Sequence, residues 1–288
     1  MSYSLELKNL SKRFPKSSFC LDDVSFSLPK GSIMGFIGEN GAGKTTTISC
    51  ILNTIKKDSG VVRVLGNEMS DDNAFVKEDI GVVFDTSSFS GDLTAKNLSK
   101  IMRGIYSRWD DSVFQKHLSI FELSLNQRIK TFSKGMSMKL AIAVALAHSP
   151  KLLILDEATS GLDPVVRDDI LDIFLEFVQK EENSILLSSH VTSDLEKIAD
   201  YITFIHNGRI VLSAKKDDLI YKYAIARCNS SQFSALENED IVAYRKKGCQ
   251  TDVLVSNKHE IGRKYKDLVI DAVTIDEIML LMIKGENA

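Results

Sequence analysis

Polar and apolar positions alternate from Leu5 to Leu10 and again from Leu21 to Leu28, where Val24, Phe26 and Leu28 share a face. That period of two predicts half-buried strands. Pro29-Lys30-Gly31 then turns the chain into an apolar strand, Ile33 to Ile37, with a helix expected over Thr46 to Leu52. Asp58-Ser59-Gly60 leads to another strand, Val61 to Leu65, and Ile80 to Phe84 is a short apolar strand ending at Asp85. From Phe89 to about Arg128 the period becomes helical: Leu98, Ile101, Met102 and Ile105 fall at i, i+3, i+4 and i+7, and Val113, Phe114, Leu118 and Phe121 form a second apolar face. An Ala-rich helix follows Phe132-Ser133-Lys134-Gly135-Met136 and runs to His148.

Leu152 to Leu155 and Ile185 to Leu187 are unbroken apolar runs, as expected of parallel strands buried on both faces. Tyr201 to Ile205 and Arg209 to Leu212 flank Asn207-Gly208, which predicts a hairpin. Past Ala214, short strands are expected around Ala224, Val242, Val253 and Val269, before an amphipathic helix (Ile275, Ile278, Met279, Met282) capped by Thr274-x-x-Glu277. The expected fold class is α/β. Residues 1–215 would form a core sheet with an antiparallel β subdomain and an inserted helical subdomain at about 89–148, and residues 216–288 a small α/β appendage. No site chemistry is visible in the appendage, and Asp240, Lys246 and Lys247 read as solvated surface.

The stretch Gly38-Glu39-Asn40-Gly41-Ala42-Gly43-Lys44-Thr45 has the P-loop pattern G-x-x-x-x-G-K-[ST] between a strand and a helix. Its glycines let successive N–H groups face phosphate oxygens, and the helix that follows adds its positive dipole end. Lys44 is the residue to reach the β- and γ-phosphates, and the Thr45 hydroxyl a ligand for Mg²⁺. Asp156-Glu157 ends a strand where ligands bind in parallel sheets. Asp156 suits the metal, and Glu157 suits polarising an attacking water. His190 follows Ser188-Ser189 at another strand end; a lone histidine is more often structural, but one beside the P-loop strand could sense a γ-phosphate. Ser133 and Asp163 are expected N-caps, and Ser193-x-x-Glu196 a capping box.

Composition adds bounds. The chain has 288 residues, enough for one large core and a small second domain. A net charge of −3 without a basic stripe argues against nucleic acid as the main partner. Cys20, Cys50, Cys228 and Cys249 are scattered, without a C-x-x-C, and read as cytosolic thiols. Met1 to Phe14 is too polar for a signal peptide, and no apolar run approaches the ~20 residues of a membrane span. The expectation is a soluble intracellular chain.

The order and spacing of these motifs resemble the nucleotide-binding subunits of ATP-binding cassette (ABC) transporters over residues 1 to about 215. The resemblance implies that Gly38–Thr45, with Thr46, is Walker A and binds ATP. It makes Leu152–Asp156 Walker B, Glu157 the catalytic base, Ser160–Asp163 the D-loop, His190 the switch histidine and Phe14 the ring on adenine. Phe132–Met136 takes the signature position. Two cassettes would dimerise head to tail, Ser133 and Gly135 of one closing over ATP at Lys44 of the other, with Asp163 among the nucleotide-binding residues if a partner subunit sits opposite it, and Mg²⁺ near Thr45, Asp156 and Asp85. A separate membrane permease would dock near Asp85 to Thr94, holding the subunit at the inner face of the cell membrane.

Three positions depart from the family pattern: the signature reads Phe-Ser-Lys-Gly-Met, Asp85 replaces the Q-loop glutamine, and Ala158 replaces a proline. The Ser-Gly-Leu-Asp-Pro D-loop and the tail Ile278-Met279-Leu280-Leu281 are similar to bacterial drug and peptide exporter cassettes. The alternative, a soluble ABC-type ATPase acting on ribosome or nucleic acid, would call for two cassettes or a long coiled coil, and the chain shows neither. A non-hydrolysing binding module would not need Glu157, nor a small-molecule kinase Ser133.

Overall fold

The structure is a computed structural model and describes residues 2–71, 73–85 and 89–286. Strands β1 (Tyr3–Arg13) and β2 (Cys20–Pro29) pair antiparallel, and β3 (Ile33–Ile37) leads through the glycine loop into helix α1 (Lys44–Ile51). Strands β4 (Ser59–Val64) and β5 (Asn67–Glu68) extend the first sheet in the order β2-β1-β4-β5. After β6 (Ile80–Val83) come the helices α2 (Ala95–Ile105), α3 (Asp111–Ile120) and α4 (Lys134–Leu146). Then β7 (Leu152–Asp156), α5 (Pro164–Val178), β8 (Ser184–Ser189), α6 (Thr192–Ile198), β9 (Tyr201–His206) and β10 (Arg209–Lys215) complete the second sheet, ordered β10-β9-β3-β8-β7-β6. Asn207 and Gly208 both take positive φ (47° and 75°), which the tight β9–β10 turn requires. The remaining elements are α7 (Lys216–Lys222), β11 (Tyr223–Cys228), α8 (Ser230–Ser234), β12 (Ile241–Lys247), β13 (Gln250–Ser256), α9 (Lys258–Lys264), β14 (Val269–Ala272) and α10 (Ile275–Lys284). Their four strands form a third, antiparallel sheet, β12-β13-β11-β14.

The unbroken apolar runs have a geometric cause. Side chains of the parallel strands alternate between two separate cores, so both faces must be apolar. Ile33 and Ile37 of β3, Leu153 and Leu155 of β7, and Ile185 and Leu187 of β8 face the helical layer with Leu140, Ile170, Phe174 and Leu195. Met34 and Phe36, Leu152 and Ile154, and Leu186 face the first sheet and α1, with Leu5, Val24, Val62 and Ile48. Strand β11 repeats the device: Ile225 joins the helical-layer core through Ile275, Ile278 and Leu281 of α10, while Ala224 and Ala226 face Val253, Val255 and Ile261.

Several expectations need correction. On α2 the buried residues are Ala95, Leu98 and Ser99, with Met102 partly covered, whereas Ile101 and Ile105 are 45% and 60% exposed. The helix buries a narrower stripe than its apolar pattern offers. Helix α6 has Val191 at its N-cap and no side-chain cap, so Ser193 and Glu196 form no capping box. Ser189 Oγ instead accepts from Val191 N (2.9 Å), a local turn, and Glu196 Oε1 accepts from Ile275 N (2.7 Å), a tertiary contact with the start of α10. Asp240 is no free surface acid: its carboxylate accepts from Lys264 Nζ and Tyr265 Oη, both at 2.7 Å. Lys247 pairs with Asp252 at 2.8 Å.

His148 stacks on Tyr106 (4.0 Å between centroids), and its Nε2–H donates to Ile80 O at 3.1 Å. Burial pushes its pKa below the ordinary 6.5, and burial does the same to His117. Both rings therefore fold neutral, and below about pH 6.5 the unfolded chain binds more protons than the native one. Stability is thus complete above that pH and declines as pH falls towards the depressed native values. Substituting His148→Phe should cost about 1 kcal/mol at pH 8, through the lost donor to Ile80 O. The gap to wild type should narrow or reverse at pH 5.5, measured by urea unfolding; a gap independent of pH would show that burial of a neutral ring is not the cause.

Candidate functional site

The carboxyl ends of β3, β8 and β7 lie side by side, with Ile37 opposite Ser189 and Asp156 opposite Ser188. The glycine loop leaves β3 at Gly38, where a Cβ would lie 2.6 Å from Ile205 O. Gly43 has φ +115°, and a Cβ there would meet Leu21 Cδ2 at 2.8 Å and Phe19 Cζ at 3.0 Å. Only glycine fits either position. Gly43 is also the N-cap of α1 and supplies no capping side chain, which leaves first-turn N–H groups for an anion.

Lys44 is buried and folds back over its own loop: its Nζ donates to Gly38 O at 2.7 Å and lies 3.2 Å from Glu157 Oε1. Thr45 Oγ1 donates to Asp156 Oδ2 at 2.8 Å, and Ser188 Oγ donates to Asp156 Oδ1 at 2.5 Å. The Asp156 carboxylate is thereby shared by the loop, β7 and β8.

Glu157 follows in the left-handed region (φ +55°), which an L-residue adopts only when its surroundings enforce it. Its N–H donates to Ser188 O at 3.0 Å, and its Oε2 accepts from His190 Nδ1 at 2.6 Å. That contact with a carboxylate oxygen requires a ring proton on Nδ1. Glu157 Oε1 is buried, in ion-pair range of Lys44 but off its hydrogen-bonding direction, so it keeps an unfilled acceptor position.

Glu39, Asn40, Gly41, Gly43, Lys44, Thr45, Thr46 and Glu157 line one cleft of about 380 Å³, together with Phe19. Ala42 is buried beneath the loop, and its carbonyl accepts from Gly208 N. Phe14 is half-buried on the same β1–β2 connection, with Lys12 Nζ 5.8 Å from its ring centroid, but the aromatic ring lining the cleft is Phe19. A second cleft, about 550 Å³, holds Ser133, Lys134, Gly135, Gly161, Leu162 and Asp163. Ser133 Oγ accepts from Met136 N (3.1 Å) and Asp163 Oδ1 from Val166 N (3.0 Å), so both cap their own helices. A cleft of similar size between α3 and α5 mixes Lys116, Lys151 and Lys180 with Glu176, without convergent polar groups of this kind.

Asp85 does not join the oxygen cluster of Thr45 and Asp156. Its Oδ1 pairs with Lys134 Nζ at 2.8 Å, tying the end of β6 to the start of α4. Two of the residues that depart from the family pattern thus neutralise each other. Residues 86–88, within the stretch expected to face a permease, lie outside the described residues.

Thr45 and Asp156 supply hard oxygens of the kind Mg²⁺ takes alongside substrate phosphates. Among the described residues no three His, Cys, Asp or Glu side chains cluster as a metal cage. A cation that needs only one or two protein oxygens fits this donor set. Sequence reasoning missed Ser188, whose signal was its position at the end of a buried strand next to that of Asp156, and Phe19, which carries no motif.

Comparison with known proteins places this site in context. The family described as ABC transporter matches residues 21–160. A bacitracin transport ATP-binding protein of Enterococcus faecalis is 32% identical over 213 residues, covering 73% of this chain and 69% of that protein. A lantibiotic transport ATP-binding protein of Streptococcus pyogenes is 33% identical over 214 residues, covering 74% and 91%. Among solved structures, an ATP-binding subunit of an ABC transporter superposes with a TM-score of 0.68 at 30% identity, covering 74% of this chain and 90% of that one. A dimeric cassette in a post-hydrolysis state, bound to ADP and Pi, shares the fold at 22% identity with a TM-score of 0.66, covering 73% and 98%.

The Asp85–Lys134 pair is half-exposed on both sides, so its coupling should be small. A double-mutant cycle of Asp85→Asn and Lys134→Ala, read by denaturant unfolding, should give about 0.2–1 kcal/mol at low salt and less at 0.5 M. A coupling above ~2 kcal/mol would mean that the pair is more sheltered than this geometry allows.

Proposed function

This chain belongs to the ABC transporter family as one of its ATP-binding, ATP-hydrolysing subunits, and from that premise we propose how its own residues carry out the work. The observation that carries the proposal is the convergence of Lys44, Thr45, Asp156, Glu157 and His190 on three adjacent strand ends. Phosphates of ATP would be held by the loop N–H groups, with Phe19, or Phe14 after movement of the β1–β2 connection, against the base. A γ-phosphate oxygen competes with Glu157 for Lys44. As Lys44 is drawn off, Glu157 Oε1 becomes free to take the proton of an attacking water. His190 Nδ1–H holds the other carboxylate oxygen, so the base keeps one orientation. Mg²⁺, held by Thr45 and Asp156, would neutralise charge on the phosphates.

Ser133, Gly135 and Asp163 open onto a cleft separate from that of Lys44. This favours a site completed by a second cassette, with the N-terminus of α4 facing a phosphate bound by the other subunit. Asp85, neutralised by Lys134, is then a link between β6 and α4 rather than a metal ligand. Among the described residues no helix is long and apolar enough to cross a membrane. The membrane component is therefore proposed to be a separate permease, with the subunit on its cytoplasmic side. Relatives named for bacitracin and lantibiotic transport favour export of a peptide-like compound.

Two outcomes test the proposal. Replacing Glu157→Gln should lower ATP hydrolysis about 10²–10⁴-fold while Mg-ATP still drives dimerisation, seen by size-exclusion chromatography with light scattering. A mutant that stays monomeric in Mg-ATP would remove the two-subunit site. Affinity purification of the tagged protein from detergent-solubilised membranes should recover a polytopic membrane protein in stoichiometric amount; ribosomal or nucleic-acid partners in its place would favour the soluble-ATPase alternative.

A further inference from the structure

The cleft at the glycine loop is poor in positive charge. Its lining residues include two carboxylates, Glu39 and Glu157, and one cation, Lys44, which itself lies 3.2 Å from Glu157 Oε1. Asp156 adds a third carboxylate through its bond with Thr45. A triphosphate at this loop therefore meets negative charge that Lys44 alone does not offset. A second cation reaches the rim from the far end of the chain: Lys284 Nζ lies 3.0 Å from Glu39 Oε1.

The position of Lys284 is set at both ends of α10. At the start, Thr274 and Glu277 form a reciprocal capping box, and Ile275 N donates to Glu196 Oε1 of α6 at 2.7 Å. Lys216 Nζ also donates to Glu196 O at 2.8 Å, so α6, α7 and α10 meet at one residue. Along the helix Ile275, Ile278 and Leu281 are buried. At the end, Tyr244 and Glu286 exchange two backbone hydrogen bonds of 2.9 Å each, and Tyr244 Oη donates to Glu286 Oε2 at 2.7 Å. Gly285 makes the turn between helix and clamp, where a Cβ would lie 2.2 Å from Leu281 O. Lys284 is thus the last residue of a helix fixed at its start, along its length and just beyond its end.

We infer that Lys284 is a positioning residue of the nucleotide site: by neutralising Glu39 it favours phosphate binding at the glycine loop and makes the C-terminal unit part of that site. The inference rests on the nucleotide-binding reading above. The pair is half-exposed at both residues, so it adds little to folding stability. Its effect is on the charge at the mouth of an anion site, where each uncompensated carboxylate weakens phosphate binding. Because linkage is reciprocal, bound nucleotide also favours the seated position of α10.

The test is calorimetric titration of this 288-residue chain with Mg-ATP at about 50 mM and about 500 mM salt. Lys284→Ala should weaken binding about two- to five-fold at low salt, Lys284→Glu should weaken it more, and Lys284→Arg should keep wild-type affinity. The loss should shrink at high salt. In a Glu39→Gln background Lys284→Ala should have no effect, because the charge it offsets is gone; a merely structural role would survive that change. Unchanged affinity for Lys284→Ala at low salt, or an equal loss in the Glu39→Gln background, would overturn the inference while leaving the site reading intact. Failure of the wild type to bind Mg-ATP, or binding by Lys44→Ala as tight as wild type, would overturn the site reading itself and this inference with it.

Discussion

The carboxylate of Asp156 is the point on which the site depends. One oxygen accepts from Thr45 on α1 and the other from Ser188 on β8, while its own backbone ends β7. Three elements distant in sequence are thereby held in one register at the end of the sheet. Glu157 inherits its strained backbone from this arrangement: its N–H is bound to Ser188 O, so the chain must turn immediately after Asp156. The Glu157 carboxylate is positioned by that turn and held between Lys44 and His190.

Such precision needs strands that do not move relative to each other. The two cores either side of the parallel sheet provide it, since each strand is packed on both faces and a one-residue slip would exchange every side chain between cores. Ladder pairing of β3 with β8 and of β7 with β8 then carries Gly38, Asp156 and Ser189 to the same edge. Polar chemistry collects there because the strand ends are where backbone and side chains leave the apolar layers.

The C-terminal sheet is joined to this frame by packing and by specific polar contacts. Glu196 of α6 accepts the N–H of Ile275 at the start of α10, and the far end of that helix meets the glycine loop through Lys284. The accessory region therefore touches both α6 and the glycine loop. Similarly, Asp85 and Lys134 join the edge strand β6 to the start of α4, so two departures from the family pattern act as one neutral pair.

Much of this is legible in the sequence. The apolar strand runs, the glycine loop, the acidic pair at the end of β7 and the Asn-Gly hairpin are local patterns, each dictated by backbone geometry or by burial of adjacent residues. Local pattern also marks the Thr274–Glu277 capping box, which the structure retains, and the Ser193–Glu196 one, which it does not. The difference is tertiary: Glu196 finds a better donor in Ile275 N, 79 residues away. For the same reason sequence alone brings out Lys44, Asp156, Glu157 and His190 but not that Asp85 faces Lys134, that Phe19 lines the cleft, that Ser188 binds Asp156, or that Lys284 meets Glu39. Which residues carry chemistry is written in short motifs. Which charge faces which is decided only when the folded chain sets distant side chains within a few ångströms, because ion pairs and hydrogen bonds depend on distance in space and not on separation along the chain.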